Sequence, residues 1–243
     1  MIGKITLNYS PNFTTKKRIK KNIKYLVFHY TGMSSESKAI NRLINASYKV
    51  SCHYFIKRNG QIISMVPALY IAWHAGKSNW NKDKLLNKNS IGIEISNKGH
   101  QFGYQRYSRA QMLSLINLSK YLIKKYNIKK RNILGHSDIA FNRKKDPGEK
   151  FQWKLLASKG IGIWHDINQK KLRKLRNQKI CPYNKKKINN FFKKIGYFTF
   201  NLSNKNYPKL IKSFQRRFRS ELVNGKMDKE CFIIAEKLSK LYS

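Results

Sequence analysis

The sequence predicts an α/β fold: a mixed central β-sheet flanked by helices, followed by a small three-helix unit at the C-terminal end. Three observations predict it. Short apolar runs of strand length alternate with amphipathic segments of helical period. A hairpin signature, Asn59-Gly60, interrupts that alternation, so the sheet is mixed. After about Gln169 the composition turns basic, and three amphipathic helical segments follow.

The elements follow in order. "KYLVFHY", Lys24 to Tyr30, is a short apolar run that reads as a buried strand delivering His29 to its C-terminal end. "SSESKAINRLINA" has Ala39, Ile40, Leu43 and Ile44 at helical spacing. In "HYFIKRNGQIISMV" two strand-like runs flank Asn59-Gly60, the pair that favours a type I′ turn. "NSIGIEIS" alternates strictly, so Ile91, Ile93 and Ile95 share one face, while Gly92, Glu94 and Ser96 share the other. The first face belongs to the core, and the second is small and polar with a single carboxylate. A helix begins near Ser108, whose side chain caps it while Gln111 reaches back. Its apolar stripe is Met112, Leu115, Ile116, Leu122, Ile123 and Tyr126. "RNILGHS" is another short strand, ending at His136. Sheets of this kind carry their sites at strand ends, where both His29 and His136 fall. The expected units are residues 1–170, a linker over 171–185, and a helical unit over 186–243.

Composition bounds the function. The 243 residues are 41% hydrophobic and 13% aromatic, which describes a globular chain. No apolar run reaches the roughly 18 residues needed to cross a bilayer. The opening "MIGKITLNYSPNF" lacks the apolar core of a secretion signal. A cytoplasmic location is therefore expected, with a periplasmic or wall-associated one as the alternative. Cys52, Cys181 and Cys231 are odd in number and widely spaced, which indicates neither a disulfide framework nor a thiolate zinc site. The net charge of +41 suits an anionic partner, but abundant Lys, Asn and Ile also fit an A/T-rich coding sequence. The lysines are spread along the chain, lack the aromatic interleaving of a single-strand platform, and accompany no nucleic-acid motif. No nucleic-acid partner is expected.

Six histidines are present, and a lone histidine is more often structural than a ligand. His29 and His136 stand out because both end buried strands. A catalytic zinc needs three protein ligands and an open position. Asp138 and Asp146 both lie near His136, and spacing alone does not choose between them. Glu94, on the polar face of a strand, is costly there unless it is paired with a lysine or serves as a general base. Lys144 and Lys145 read either as a solvated run or as a cation facing a developing oxyanion.

At these residues the chain resembles a known family. "YLVFHYTG", "SCHYFIKRNGQI", "AWHAGKSNW", "NSIGIEISNKGH" and "GHSDIA" followed by "RKKDPGEKF" occur in the order and at the distances found in zinc-dependent N-acetylmuramoyl-L-alanine amidases of the AmpD/AmiD type. Peptidoglycan recognition proteins share that fold, and the likeness covers about Ile23 to Ile167. The tail, with "SFQRRFRSELVNGKMD" and the closing helix, resembles a three-helix peptidoglycan-binding domain. The resemblance implies one Zn2+ per chain, held by His29, His136 and Asp146. It implies Glu94 as catalytic acid/base and Lys144 as the oxyanion-stabilising cation. Trp73, His74 and Asn97 are implied as substrate contacts, and Phe214, Gln215 and Phe218 as peptidoglycan contacts of the tail. The implied activity is hydrolysis of the amide between N-acetylmuramic acid, or its 1,6-anhydro form, and L-alanine of peptidoglycan or muropeptides. Ala140-Phe141 stands where close relatives have Ala-Pro, Phe151-Gln152-Trp153 replaces Phe-Pro-Trp, and Cys231 replaces a common threonine. None of these is an implied ligand. The alternative is a non-catalytic peptidoglycan-recognition protein of the same fold. Such relatives have lost a zinc ligand, whereas this chain has all of His29, His136, Asp146 and Glu94.

Overall fold

In the computed structural model the chain is described over residues 4–182, 184–200 and 202–241. The expected unit limits at residues 1 and 243, and residue 183 of the expected linker, lie outside the described residues. Along the chain run β1 (Ile5–Leu7), β2 (Phe13–Thr14), β3 (Tyr25–Tyr30), α1 (Glu36–Ile44), β4 (Tyr54–Ile56) and β5 (Ile62–Ser64). Next come β6 (Ile71–Ala72), β7 (Asn79–Trp80), β8 (Asp83–Lys84), β9 (Ser90–Ile95), α2 (Arg109–Tyr126), β10 (Ile133–Gly135) and α3 (His136–Ile139). The chain closes with α4 (Trp153–Ser158), α5 (Gln169–Leu175), α6 (Lys185–Ile195), α7 (Tyr207–Phe218) and α8 (Lys229–Lys240).

The central sheet has strand order β1-β5-β4-β9-β3-β10. It is mixed as expected: β4 and β5 pair antiparallel, and the other neighbours pair parallel. One face is apolar by alternation. Leu26, Phe28, Ile91, Ile93 and Ile95 pack there with Met112, Leu115 and Leu122 of α2. Ser108 and Gln111 form the capping box that starts α2, and the Gln111 amide also donates to the Ser96 carbonyl at 2.7 Å.

The other face has two coverings. Phe55 and Ile63 of the β4–β5 hairpin pack with Ala39 and Leu43 of α1. Tyr25 and Val27 of β3 and Leu134 of β10 share one cluster with Phe192, Phe214 and Leu238 of the tail helices. His29 and Glu94 are partners in the β3–β9 register on this face, and Glu94 lines an open cleft there beside Ala39 and Leu43 of α1. The tail thus shares its apolar cluster with the sheet. The expected linker, 171–185, begins within α5, whose Leu172 is buried in the same cluster.

The hairpin turn differs from the type I′ expectation. Gly60 is left-handed at φ 89° and Asn59 is not, so the loop is a three-residue turn with glycine at its end. Tertiary bonds select it. The Ser108 hydroxyl donates to the Arg58 carbonyl and the Ser114 hydroxyl to that of Gly60, pinning the turn to the start of α2. A side chain at position 60 would meet the Ala110 carbonyl oxygen at 2.8 Å.

One buried ion pair joins the tail to the sheet. Arg217 of α7 donates to Asp138 Oδ2 at 2.6 Å and to the Ile133 carbonyl at 2.9 Å, and its guanidinium lies 4.4 Å from the Trp153 ring centroid. The Tyr197 hydroxyl donates to Asp138 Oδ1 at 2.8 Å. Both charges are almost fully buried, so removing one strands the other. Arg217→Ala is expected to lower stability by about 3–5 kcal/mol, read as a fall in the urea midpoint. An unchanged midpoint would show that the pair holds nothing in place. Among the described residues no helix is long and apolar enough to cross a membrane.

Candidate metal centre

Three elements deliver three donors to one point. β3 brings His29 to its C-terminal end, α3 starts on His136 directly after β10, and the following loop returns Asp146 beside them. His29 Nδ1 and His136 Nδ1 are 3.0 Å apart. Asp146 Oδ2 lies 3.1 Å from the first and 3.0 Å from the second. All three side chains are buried. The Ser137 amide donates to the Asp146 carbonyl at 2.8 Å, tying the loop back onto α3.

The protons of both rings are committed elsewhere. Ser90 donates its hydroxyl to the Leu86 carbonyl at 2.5 Å, so it accepts from His74 Nε2 at 3.1 Å. His74 Nδ1 is then an acceptor and takes the Nε2 proton of His29 at 3.0 Å. His136 donates its Nε2 proton to the Ala75 carbonyl at 3.1 Å. Burial, and then the neighbouring His136, hold His29 down to about 4, so the ring is neutral at neutral pH. Three lone-pair acceptors therefore face one another with no proton between them. Their separations approach the edge of about 3.3 Å of a tetrahedron with ligands at roughly 2.0–2.1 Å. A divalent cation fits this donor set, and outward hydrogen bonds from ligating histidines are the usual support for one.

Asp138, the other carboxylate near His136, is turned away. It accepts from Gly135 N, Tyr197 and Arg217, and so secures α3 from behind. Glu94 lines the same cleft as His136, Asp146 and Lys144, which encloses about 410 Å³. Its Oε2 is buried and has no hydrogen-bond partner among the described residues. Burial, then the charge of Asp146, push the Glu94 carboxyl up to about 8, and Lys144 opposes the rise. A group in that range both takes and returns a proton near neutrality.

The residues expected to contact substrate divide. His74 borders the cleft, but its ring is committed to the relay between His29 and Ser90. Gly92 makes room for that ring, since a Cβ there would lie 2.4 Å from His74 Cγ. Trp73 turns its indole N–H to Thr14, outside the cleft lining. Asn97 is buried and binds the backbone of Gly99 and Gln105, bracing the loop after β9. The tail expectation is corrected outright. Phe214, Gln215 and Phe218 are 0%, 0% and 2% exposed, and Gln215 spends its amide on Asn224, Gly225 and Lys226. Their helical spacing marks the inward face of α7, so they cannot meet a polymer. Sequence reasoning missed Ser90 and the Ala75 carbonyl. A main-chain acceptor leaves no residue-type signal, and Ser90 read only as the start of a strand.

The chain is similar in sequence and in fold to known proteins. The family model for N-acetylmuramoyl-L-alanine amidase matches residues 19–149. N-acetylmuramoyl-L-alanine amidase AmiD of Escherichia coli K12 is 35% identical over 233 residues, covering 90% of this chain and 83% of that protein. 1,6-Anhydro-N-acetylmuramyl-L-alanine amidase AmpD of the same organism is 38% identical over 117 residues, covering 47% of this chain and 62% of that protein. The solved complex of E. coli AmiD with anhydro-N-acetylmuramic acid-L-Ala-D-gamma-Glu-L-Lys superposes with a TM-score of 0.80 at 32% identity, covering 94% of this chain and 93% of that one. A family model over residues 19–149, a relative matched over most of its length and a shared fold together show that this chain belongs to the N-acetylmuramoyl-L-alanine amidase family.

Proposed function

We propose that the chain uses one zinc ion, held by His29, His136 and Asp146, to hydrolyse the amide between N-acetylmuramic acid, or its 1,6-anhydro form, and L-alanine of the stem peptide. The observation that carries this reading is the trio of converging acceptors beside a buried, unpartnered carboxylate. When bound, zinc supplies the Lewis acidity for amide hydrolysis. Glu94 takes a proton from the attacking water as it adds to the carbonyl carbon, and returns it to the departing L-alanine nitrogen. Lys144, on the wall of the cleft, faces the oxygen that gains negative charge. The ligand named in the AmiD complex supports the substrate class, since its L-alanine is joined to anhydro-N-acetylmuramic acid.

Lys144→Ala is expected to cut turnover by about 10²–10³-fold, the usual effect of removing one oxyanion donor, with metal content unchanged. Parental turnover in this variant would remove Lys144 from the mechanism. The reading as a whole is tested by digesting purified sacculi and, separately, soluble anhydro-muropeptides, with and without chelator, followed by mass spectrometry. Release of stem peptides with a free L-alanine amine, abolished by chelator, is expected. Intact substrate in both arms would leave the non-catalytic recognition reading in its place. The soluble arm reports on recycling of fragments, as a cytoplasmic enzyme would perform it, and the sacculus arm on wall degradation. A wall-binding role for residues 186–243 falls to the outer surface of the tail, where Lys186, Lys187 and Lys193 are exposed, because its inner face is covered.

A further inference from the structure

Both histidines of the metal centre send their outward protons to one short loop. His29 bonds the ring of His74, and His136 bonds the carbonyl of Ala75. The orientation of two ligands therefore depends on where residues 74–77 sit. Asn87 holds that loop from one side, its Oδ1 accepting from His74 N at 3.1 Å and Ala75 N at 2.7 Å. Arg143 holds it from the other. Its guanidinium donates to the Ala75 carbonyl at 2.5 Å, and to the Lys77 carbonyl through Nε at 3.1 Å and Nη2 at 2.7 Å. Gly76 is left-handed between those two carbonyls, and a Cβ there would come within 3.1 Å of Arg143 Nη2. Among the described residues Arg143 has no carboxylate within 4.0 Å. Its planar fork is instead spent on backbone oxygens, a use that lysine cannot reproduce. Arg143 also sits on the loop that runs from α3 to Asp146, so it links the segment bearing one ligand to the loop orienting the other two.

We propose that Arg143 is a positioning residue for the metal centre. Bridging Ala75 and Lys77, it locks the loop that fixes the tautomer and aim of His29 and His136. This rests on the reading that those histidines and Asp146 hold the metal. Arg143 and Lys144 both line the cleft, and Arg143 in addition clamps the loop that supports the ligands.

The test uses the full chain and its Arg143→Ala, Arg143→Lys and Asp146→Ala variants, each loaded with Co2+. The readouts are the visible absorption spectrum, the rate of metal release into a chelator, and kcat and KM on an anhydro-muropeptide with zinc restored. Supporting bonds of this kind are typically worth 10–100-fold in metal affinity or activity. Arg143→Ala is expected to release metal about 10–100-fold faster, with an altered spectrum and a lower kcat at unchanged KM. Arg143→Lys, which reaches one carbonyl at a time, is expected to fall between it and the parent, and it carries the comparison if the alanine variant does not fold. Parental release and spectrum in Arg143→Ala would overturn the proposal, as would a rise in KM with unchanged release, which would make Arg143 a substrate contact. Asp146→Ala separates the two claims. If it binds Co2+ with the parental spectrum, the ligand reading has failed. If it loses the metal while Arg143→Ala behaves as the parent, the ligands stand and the positioning role falls.

Discussion

Asp146→Ala is expected to leave a folded protein that does not retain metal through dialysis. The aspartate supplies the only anionic donor of the trio, and Oδ2 sits within 3.1 Å of both imidazole nitrogens. Without it two neutral rings remain, one fewer than the three protein ligands of a catalytic zinc site. Turnover should fall by on the order of a thousandfold or more, because metal assistance supplies several kcal/mol of transition-state stabilisation. The measurements are metal content by mass spectrometry and stem-peptide release at saturating substrate. Metal content of one equivalent in the variant would show that the donors meet for another reason. The fold should survive, since α3 keeps its bonds to Tyr197 and Arg217 through Asp138.

Glu94→Gln should separate metal binding from chemistry. Glutamine fills the same space and leaves the three donors untouched, so one equivalent of metal stays bound. It cannot accept the proton of the attacking water, and turnover should drop by about 10²–10⁴-fold, the usual range for a positioned acid–base group. Stability should move the other way or not at all. A carboxyl whose folded value is raised to about 8 opposes folding above the unfolded value of about 4.3, increasingly until the folded value is passed. At pH 7 and above, the metal-free glutamine variant should therefore unfold at a urea concentration equal to or higher than that of the parent. A large loss of stability would mean that Glu94 serves the fold and that its lost activity is indirect.

Much of this site was legible before any coordinates. Strict alternation in "NSIGIEIS" put Glu94 on the face opposite Ile91, Ile93 and Ile95, and that is the face bearing His29. Capping chemistry at Ser108 and Gln111 located the start of α2. Other features were hidden for physical reasons. Asp138 and Asp146 differ in what they face, and facing depends on Arg217 and Tyr197, some 60 to 80 residues further along. Arg143, Lys144 and Lys145 form a run of three cations whose separate orientations no composition encodes. The periodic stripe of α7 announced burial correctly, but burial on that stripe is what removes Phe214 and Phe218 from any ligand. The hairpin dipeptide named a turn type that bonds from Ser108 and Ser114 then overrode.

The shared cluster beneath the metal centre also sets an order of events during synthesis. A ribosome that has delivered Asp146 has already delivered His29, Glu94, Lys144 and His136. Yet Tyr25, Val27 and Leu134 still lack Phe192, Phe214 and Leu238 of their cluster at that moment, and the Ser137 carbonyl and the Asp138 carboxylate still lack Ser213 and Arg217. α7 therefore completes the support of a site whose donors were made early. A nascent chain that stops short of α7 holds all the reactive groups without that scaffold.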